Sequence, residues 1–138
     1  MRIGIITHNY PAHKNDRQNA GIFVYDFAHA LQKLGHKVFV LCPDNTPKKE
    51  KDAVSVTRFK WMGKGTKLGS LNPFNPKDIL LFLNVFFSGF KAAEKFATEN
   101  KIDFIISMWA IPAGIFALWI NFRKKIIALQ FTYRYFIQ

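Results

Sequence analysis

Acidic residues are scarce in this chain. Only 9 Asp and Glu stand against 20 Lys and Arg, and the formal net charge is +11. Such a surface repels cationic partners and attracts polyanions: a phosphorylated ligand, anionic lipid head groups or nucleic acid. There is a single cysteine, Cys42, so an internal disulfide is excluded and a cytosolic setting is expected. No apolar run reaches the roughly 20 residues needed to span a bilayer. The longest candidates, residues 79–90 and 108–122, are short, and the second carries Pro112. Met1 and Arg2 lead straight into a strand-like run, so no secretory leader is expected. No G-x-G-x-x-G follows that run and no Walker loop exists, which disfavours nicotinamide, flavin and P-loop chemistry. His8, His13, His29 and His36 lack metal-ligand spacing, so no metal and no cofactor is expected of the chain.

Apolar and aromatic residues are abundant. At 138 residues the chain can bury one core as a single domain. Strands are predicted over residues 2–7, 37–42, 54–59, 103–107 and 125–129, the third near a sheet edge. A helix is predicted over 22–34, with Phe23, Phe27, Ala30 or Leu31, and Leu34 as its apolar stripe. Gly35 follows its last turn, where a left-handed cap favours a residue without Cβ. A long helix from about 77 to 100 carries the stripe Ile79, Leu83, Phe86, Phe90, Ala93 and Ala97, with Leu80, Leu81, Phe82 and Phe87 as further apolar positions. Pro112 suits the first turn of a helix that runs to about Asn121. The order βαβ-β-αβ-αβ predicts an α/β fold: a Rossmann-like, doubly wound, mostly parallel sheet.

In such sheets ligands bind beyond the carboxyl ends of the strands, where the strand order reverses. Three segments are expected there: residues 7–21, 107–114 and 130–132. The first is long for a βα connection, where about 2–6 residues is usual. It ends in Ala20-Gly21 at a helix N-terminus. Exposed N–H groups and the helix dipole favour an anion there, and a glycine lets a phosphate approach. A glycine chosen only for a tight entry turn is the alternative. Trp109 either lines a pocket or simply packs, and Cys42 reads as a core thiol.

These residues carry a resemblance. The segment "MRIGIITHNYPAHKNDRQNAGIFVYDFAHALQKLGHKVFVLCP" resembles the amino-terminal half of retaining, GT-B-fold glycosyltransferases of family 4. "KIDFIISMWAIPAGIFALWI" is similar to a later segment of the same domain. The resemblance implies one incomplete GT-B amino-terminal domain over residues 1–138, with the carboxyl-terminal donor-binding domain absent. It implies an acceptor-binding role in moving a sugar from a nucleotide-sugar to a glycan or lipid-linked acceptor, with the chain inactive alone. A nucleotide-sugar is then expected only with the missing half, supplied by a second domain or chain. Ala20 and Gly21 would lie near the donor diphosphate. Acceptor-pocket candidates are Asn9, Tyr10, Asn19, Tyr25 and Trp109. Two departures stand out: Ala20 replaces the family's first glycine, and "ALQFTYRYFIQ" stands where an H-G-x-D loop is typical. The chain thus reads as an expressed fragment, a truncated gene product or one half of a split enzyme.

The alternative is a noncatalytic membrane-surface or partner-binding module of the same fold. Lys48, Lys49, Lys51, Arg58, Lys60, Lys64 and Lys67 would form its anion-binding surface, with Leu80, Leu81 and Phe87 adding apolar burial. The expected place is the cytoplasm, peripheral at the inner membrane face. Phe59 and Trp61 among these cations are compatible with base stacking, but no nucleic-acid motif accompanies them, so nucleic acid is disfavoured.

Overall fold

The computed structural model describes residues 1–16, 21–45, 51–66 and 68–131. Five strands form one parallel sheet in the order β3-β2-β1-β4-β5. They are β1 (Arg2–Ile6), β2 (Lys37–Pro43), β3 (Ser55–Phe59), β4 (Phe104–Met108) and β5 (Ile127–Phe131). Three helices connect them: α1 (Ile22–Lys33), α2 (Pro76–Glu99) and α3 (Ile115–Lys124). Consecutive numbering runs outward in both directions from β1, so the strand order reverses between β1 and β4. The doubly wound expectation holds, and β3 lies at an edge as its alternating pattern suggests.

The two faces of the sheet carry separate cores. α1 covers one face, where Val24 and Ala28 meet Ile3, Ile5, Val38, Val40 and Cys42. α2 and α3 cover the other, where Val85, Phe96, Phe116 and Ile120 meet Ile6, Leu41 and Ile105. Strands buried on both sides need continuous apolar runs, which is how β1 and β2 read in the sequence.

The helices differ from expectation in which side faces inward. In α1 the buried line is Val24 and Ala28, with Leu31 packed behind, while Phe27 and Leu34 are exposed. The bare methyl of Ala28 lets the helix approach the sheet, and Phe27 lies about 100° further round. At the other end of α1 the cap is as predicted. Gly35 has φ +90°, its N–H donates to the Gln32 carbonyl, and the His36 N–H donates to the Leu31 carbonyl. These are the two bonds of a Schellman motif.

In α2 the buried line is Val85, Gly89, Ala93, Phe96 and Ala97. Phe86 and Phe90 lean instead toward Phe116 of α3, with ring centroids 5.9 and 5.4 Å away. Ile79 and Leu83, predicted for the core stripe, are exposed together with Leu80 and Phe87. The reason is local. A Cβ on Gly89 would lie 2.1 Å from Phe116 Cζ, so this gap sets how α2 rotates against α3. Farther along, Glu94 accepts from Trp119 Nε1 (2.9 Å) and Arg123 Nε (3.2 Å). The Arg123 and then the Trp119 hydrogen bonds hold its carboxyl below the usual carboxylate range. α2 opens on Asn75, whose side chain accepts from the Lys77 N–H at 3.0 Å, with Pro76 in the first turn.

β5 begins two residues later than predicted. Lys125 adopts a left-handed conformation (φ 54°) as the cap of α3, and Asn121 Nδ2 donates to the Ile126 carbonyl at 2.8 Å. Both residues are therefore spent on ending the helix. Pro112, expected in the first turn of α3, lies three residues before it, in the turn Ala110–Gly114, after an extended Ile111.

Candidate functional site

The crevice between β1 and β4 is built from four segments. At the carboxyl end of β1 comes Thr7, buried, with its N–H donating to the Leu41 carbonyl at 3.0 Å. Its hydroxyl donates to the Asn9 carbonyl (3.0 Å) and accepts from the Asn9 N–H (3.3 Å). That small ring holds His8 at its apex. From the end of β4, Trp109 reaches across to His8, with ring centroids 4.5 Å apart, and Phe23 of α1 meets the other edge of the indole at 5.1 Å. Trp109 itself has φ +69°, an uncommon conformation for a non-glycine residue, at the turn where the chain leaves the sheet.

Below His8 lies a cavity of about 130 Å³ lined by His8, Leu68, Gly69, Phe82, Val85, Phe86, Ile111 and Pro112. Apart from His8 its lining side chains are apolar. The Nδ1 atom of His8 is buried and has no hydrogen-bond partner among the described residues. Burial pushes the imidazole below the usual histidine range.

The five acceptor candidates separate. Trp109 and Asn9 lie at this crevice. Tyr10 is buried on the α1 side, its hydroxyl donating to Asp52 Oδ2 at 2.9 Å. Burial first, and the Asp52 carboxylate next, hold its phenol well above the usual range. Tyr25 stacks on His29 at 4.0 Å, and His29 Nε2 lies 2.7 Å from Asp52 Oδ1. Tyr10 and Tyr25 therefore belong to a packed cluster that ties α1 to the segment before β3. Asn19 lies outside the described residues, as does Ala20.

Gly21 is buried at the start of α1, and its carbonyl accepts from the N–H groups of Val24 (3.0 Å) and Tyr25 (3.2 Å). Its φ of −86° is open to any residue, so the backbone there does not require glycine.

The predicted basic surface also separates. Lys48, Lys49 and Lys67 lie outside the described residues. Lys51 and Lys60 are exposed, and Lys64 Nζ is 3.6 Å from the buried Asp44 carboxylate. Arg58 turns inward: it donates to the Pro11 carbonyl at 2.9 Å and reaches Cys42 Sγ at 3.4 Å. Its guanidinium anchors the loop after β1. A larger hollow of about 330 Å³ lies beside it at the β3 edge, lined by Lys51, Asp52 and Arg58 among others. Its two central charges are already engaged, so the β1/β4 crevice is the better candidate site.

His8 is the residue that sequence reasoning missed. Its signal was its place, directly after the first buried strand, where ligands of such sheets bind. Among the described residues no three His, Cys, Asp or Glu side chains are grouped to hold a metal, and no helix is long and apolar enough to cross a membrane.

Solved structures share this architecture. MurG of Acinetobacter baumannii matches with a TM-score of 0.55 at 14% identity, over 96% of this chain and 35% of that one. Sucrose-phosphate synthase of Thermosynechococcus elongatus matches with a TM-score of 0.57 at 13% identity, over 96% of this chain and 32% of that one. UGT2 of Phytolacca americana, complexed with UDP-2fluoro-glucose and pterostilbene, matches with a TM-score of 0.56 at 12% identity, over 96% and 30%. The chain thus spans about a third of the length of these proteins. No curated protein sequence matches it. The family model of Glycosyltransferase Family 4 matches residues 20–134. A Rossmann-like unit of the GT-B kind, with that match over most of its length, makes the chain a member of Glycosyltransferase Family 4.

Proposed function

We propose that this domain is the acceptor-binding side of a glycosyltransferase that moves a sugar from a nucleotide-sugar to a glycan or lipid-linked acceptor. The observation that carries the reading is the cavity under His8, in the carboxyl-end crevice of a family 4 domain. The donor belongs to a second domain or chain that closes over this crevice, and Gly21 at the head of α1 would face its diphosphate. The Phytolacca complex, which holds a nucleotide-sugar together with pterostilbene, supports a two-ligand arrangement of this type. Equilibrium dialysis against UDP-glucose tests the division of labour. The isolated domain should retain little nucleotide-sugar, and the domain joined to its donor-binding partner should retain much more. Equal retention by the two would place the donor site here and overturn the reading.

A membrane-surface role is favoured by a separate observation. Leu80, Leu83 and Phe87 lie along one exposed stripe of α2, and Leu118 and Phe122 along one of the neighbouring α3. Phe87 is 69% exposed and Phe122 79%. Exposed Lys77, Lys91, Lys124 and Lys125 flank them. Apolar ridges with a basic rim match an anionic bilayer, which fits a lipid-linked acceptor and a peripheral place on the cytoplasmic face. Leu81, expected to share this contact, packs against the core instead. Each lysine near such a surface contributes about 1 kcal/mol. Sedimentation with anionic vesicles should show binding that weakens with salt and falls at least tenfold in Phe87→Ser with Phe122→Ser. Equal binding to neutral vesicles, or none to either, would count against it.

A further inference from the structure

We infer that the trough between α1 and β5 is the docking site for an amphipathic helix of a partner protein, acidic at the end that lies over the amino ends of the strands. The inference goes beyond the acceptor reading and holds whether or not the domain transfers sugar. Its first observation is a bare helix flank. Successive residues of α1 turn by about 100°. Tyr25, His29 and Gln32 therefore share one flank, which points to the segment before β3. There His29 Nε2 lies 2.7 Å from Asp52 Oδ1, and Gln32 Nε2 donates to the Ala53 carbonyl at 2.9 Å. Phe23, Phe27, Ala30 and Leu34 share the opposite flank, toward β4, where Phe23 meets Trp109. Beyond Phe23 that flank is open: Phe27 and Ala30 are exposed, and Leu34 is 75% exposed.

The second observation is a bare sheet face beside it. Phe104 is in register with Ile127 and Ile106 with Leu129, so these four side chains point to one face. Ile106 packs with the core on the α1 side, which identifies the face. Ile127 is 64% exposed and Leu129 58%, while Ala128 between them packs against the other core. A helix packed beside α1 lies about 8–10 Å from it. Strands are about 4.8 Å apart, so its place is two strands on from β2 and β1, over β4 and β5. The trough thus has the width of one helix, with Phe27 and Leu34 as its wall and Ile127 and Leu129 as its floor. Right-handed connections do not fill it. α2 and α3 accompany the steps to β4 and β5, so a strand added beyond β5 in the same direction would bring its helix to their face.

Charge selects the occupant. Lys101 and Lys125 are exposed at the amino ends of β4 and β5, and Lys33 in the last turn of α1. Asp103 and Glu99 at that end are engaged: Asp103 Oδ2 accepts from the Arg2 N–H at 2.7 Å, and Glu99 Oε1 lies 3.8 Å from Lys95 Nζ. A second copy would bring the same cations and a further +11. An anionic bilayer suits the ridges of α2 and α3, which lie on the opposite side of the sheet, and does not reach a floor recessed by the diameter of a helix, about 10 Å. An acidic amphipathic helix fits the width, the apolar floor and the basic end together.

Two stapled helical peptides of the length of α1 serve as probes. Both carry leucines at i, i+4, i+7 and i+11, and they differ in having glutamates or lysines in the last turn. Amide shifts of the labelled 138-residue chain should saturate with the glutamate peptide and move Phe27, Leu34, Ile127 and Leu129. The lysine peptide should bind at least tenfold more weakly. Phe27→Ser with Leu129→Ser should weaken the glutamate peptide at least tenfold with the net charge unchanged, and both side chains are exposed, so folding should persist. The chain alone should sediment as a monomer. Absence of saturable binding, equal binding of the two peptides, or shifts centred on Phe87 and Phe122 would overturn the inference, whether or not the double variant folds. So would a dimer that the double variant dissociates, which assigns the trough to a second copy. Anionic vesicles that shift Phe27 and Leu129 would assign it to a bilayer and overturn it equally.

Discussion

Gly89→Ala should destabilise the domain by about 2–3 kcal/mol, although it replaces a poor helix former with the best one. Helix propensity alone predicts the opposite sign, a gain of up to about 1 kcal/mol. The difference is the contact with α3. The added methyl would lie 2.1 Å from Phe116 Cζ and 2.6 Å from both neighbouring ring carbons, and the ring is itself fully buried. Phe116 cannot give way easily, because Phe59, Phe86 and Phe90 pack edge-on around it at 5.4–6.2 Å. A smaller residue opposite should restore room. Phe116→Leu is expected to lower stability by itself, and combined with Gly89→Ala it should cost less than the sum of the two single changes. Denaturant unfolding of the four proteins measures the coupling. A stabilised Gly89→Ala, or strict additivity, would mean that this gap does not set the α2–α3 packing.

The second large effect is functional. In a protein that carries the donor-binding domain, Gly21→Val should reduce donor-dependent turnover by about 10²-fold or more, as misplacing a reacting group by an ångström does. The backbone dihedrals at Gly21 (φ −86°, ψ 5°) are open to any residue, and the propensity cost of valine in the first turn is at most about 1 kcal/mol. The loss should therefore appear in activity per folded molecule, with little change in melting temperature. Ala20→Gly should be tolerated. If glycine at this position serves only the packing of the helix start, the pattern reverses: melting falls, and activity falls only with the folded fraction. Full turnover by well-folded Gly21→Val would take this residue out of the site.

Local signals explain what was legible in the sequence. The βαβ order and the Gly35 cap depend on neighbours along the chain, and each appears as expected. The inward sides of the helices do not. α1 contains Phe23, Val24, Phe27, Ala28 and Leu31, so more than one stripe satisfies helical spacing. Only contact with β1 and β2 selects Val24 and Ala28. α2 is apolar nearly all round in its first half, and its rotation is set by a glycine that meets a phenylalanine 27 positions later. Tyr10 is an acceptor candidate through the family resemblance, yet it is taken up by Asp52, 42 positions away. The cavity was invisible for the same reason. Its walls come from the β1 end, the loop before α2, α2 itself and the turn after β4, and no single stretch of sequence carries them.

The division of the reaction between this domain and a separate donor site is tested most directly by sugar transfer from the purified 138-residue chain. It would be incubated with radiolabelled nucleotide-sugars and with glycan and lipid-linked acceptors, and product counted over many enzyme equivalents. The expected result is no turnover by the chain alone, with turnover appearing when the donor-binding domain is supplied. Sustained transfer by the isolated chain, from any nucleotide-sugar to any acceptor, would contradict it.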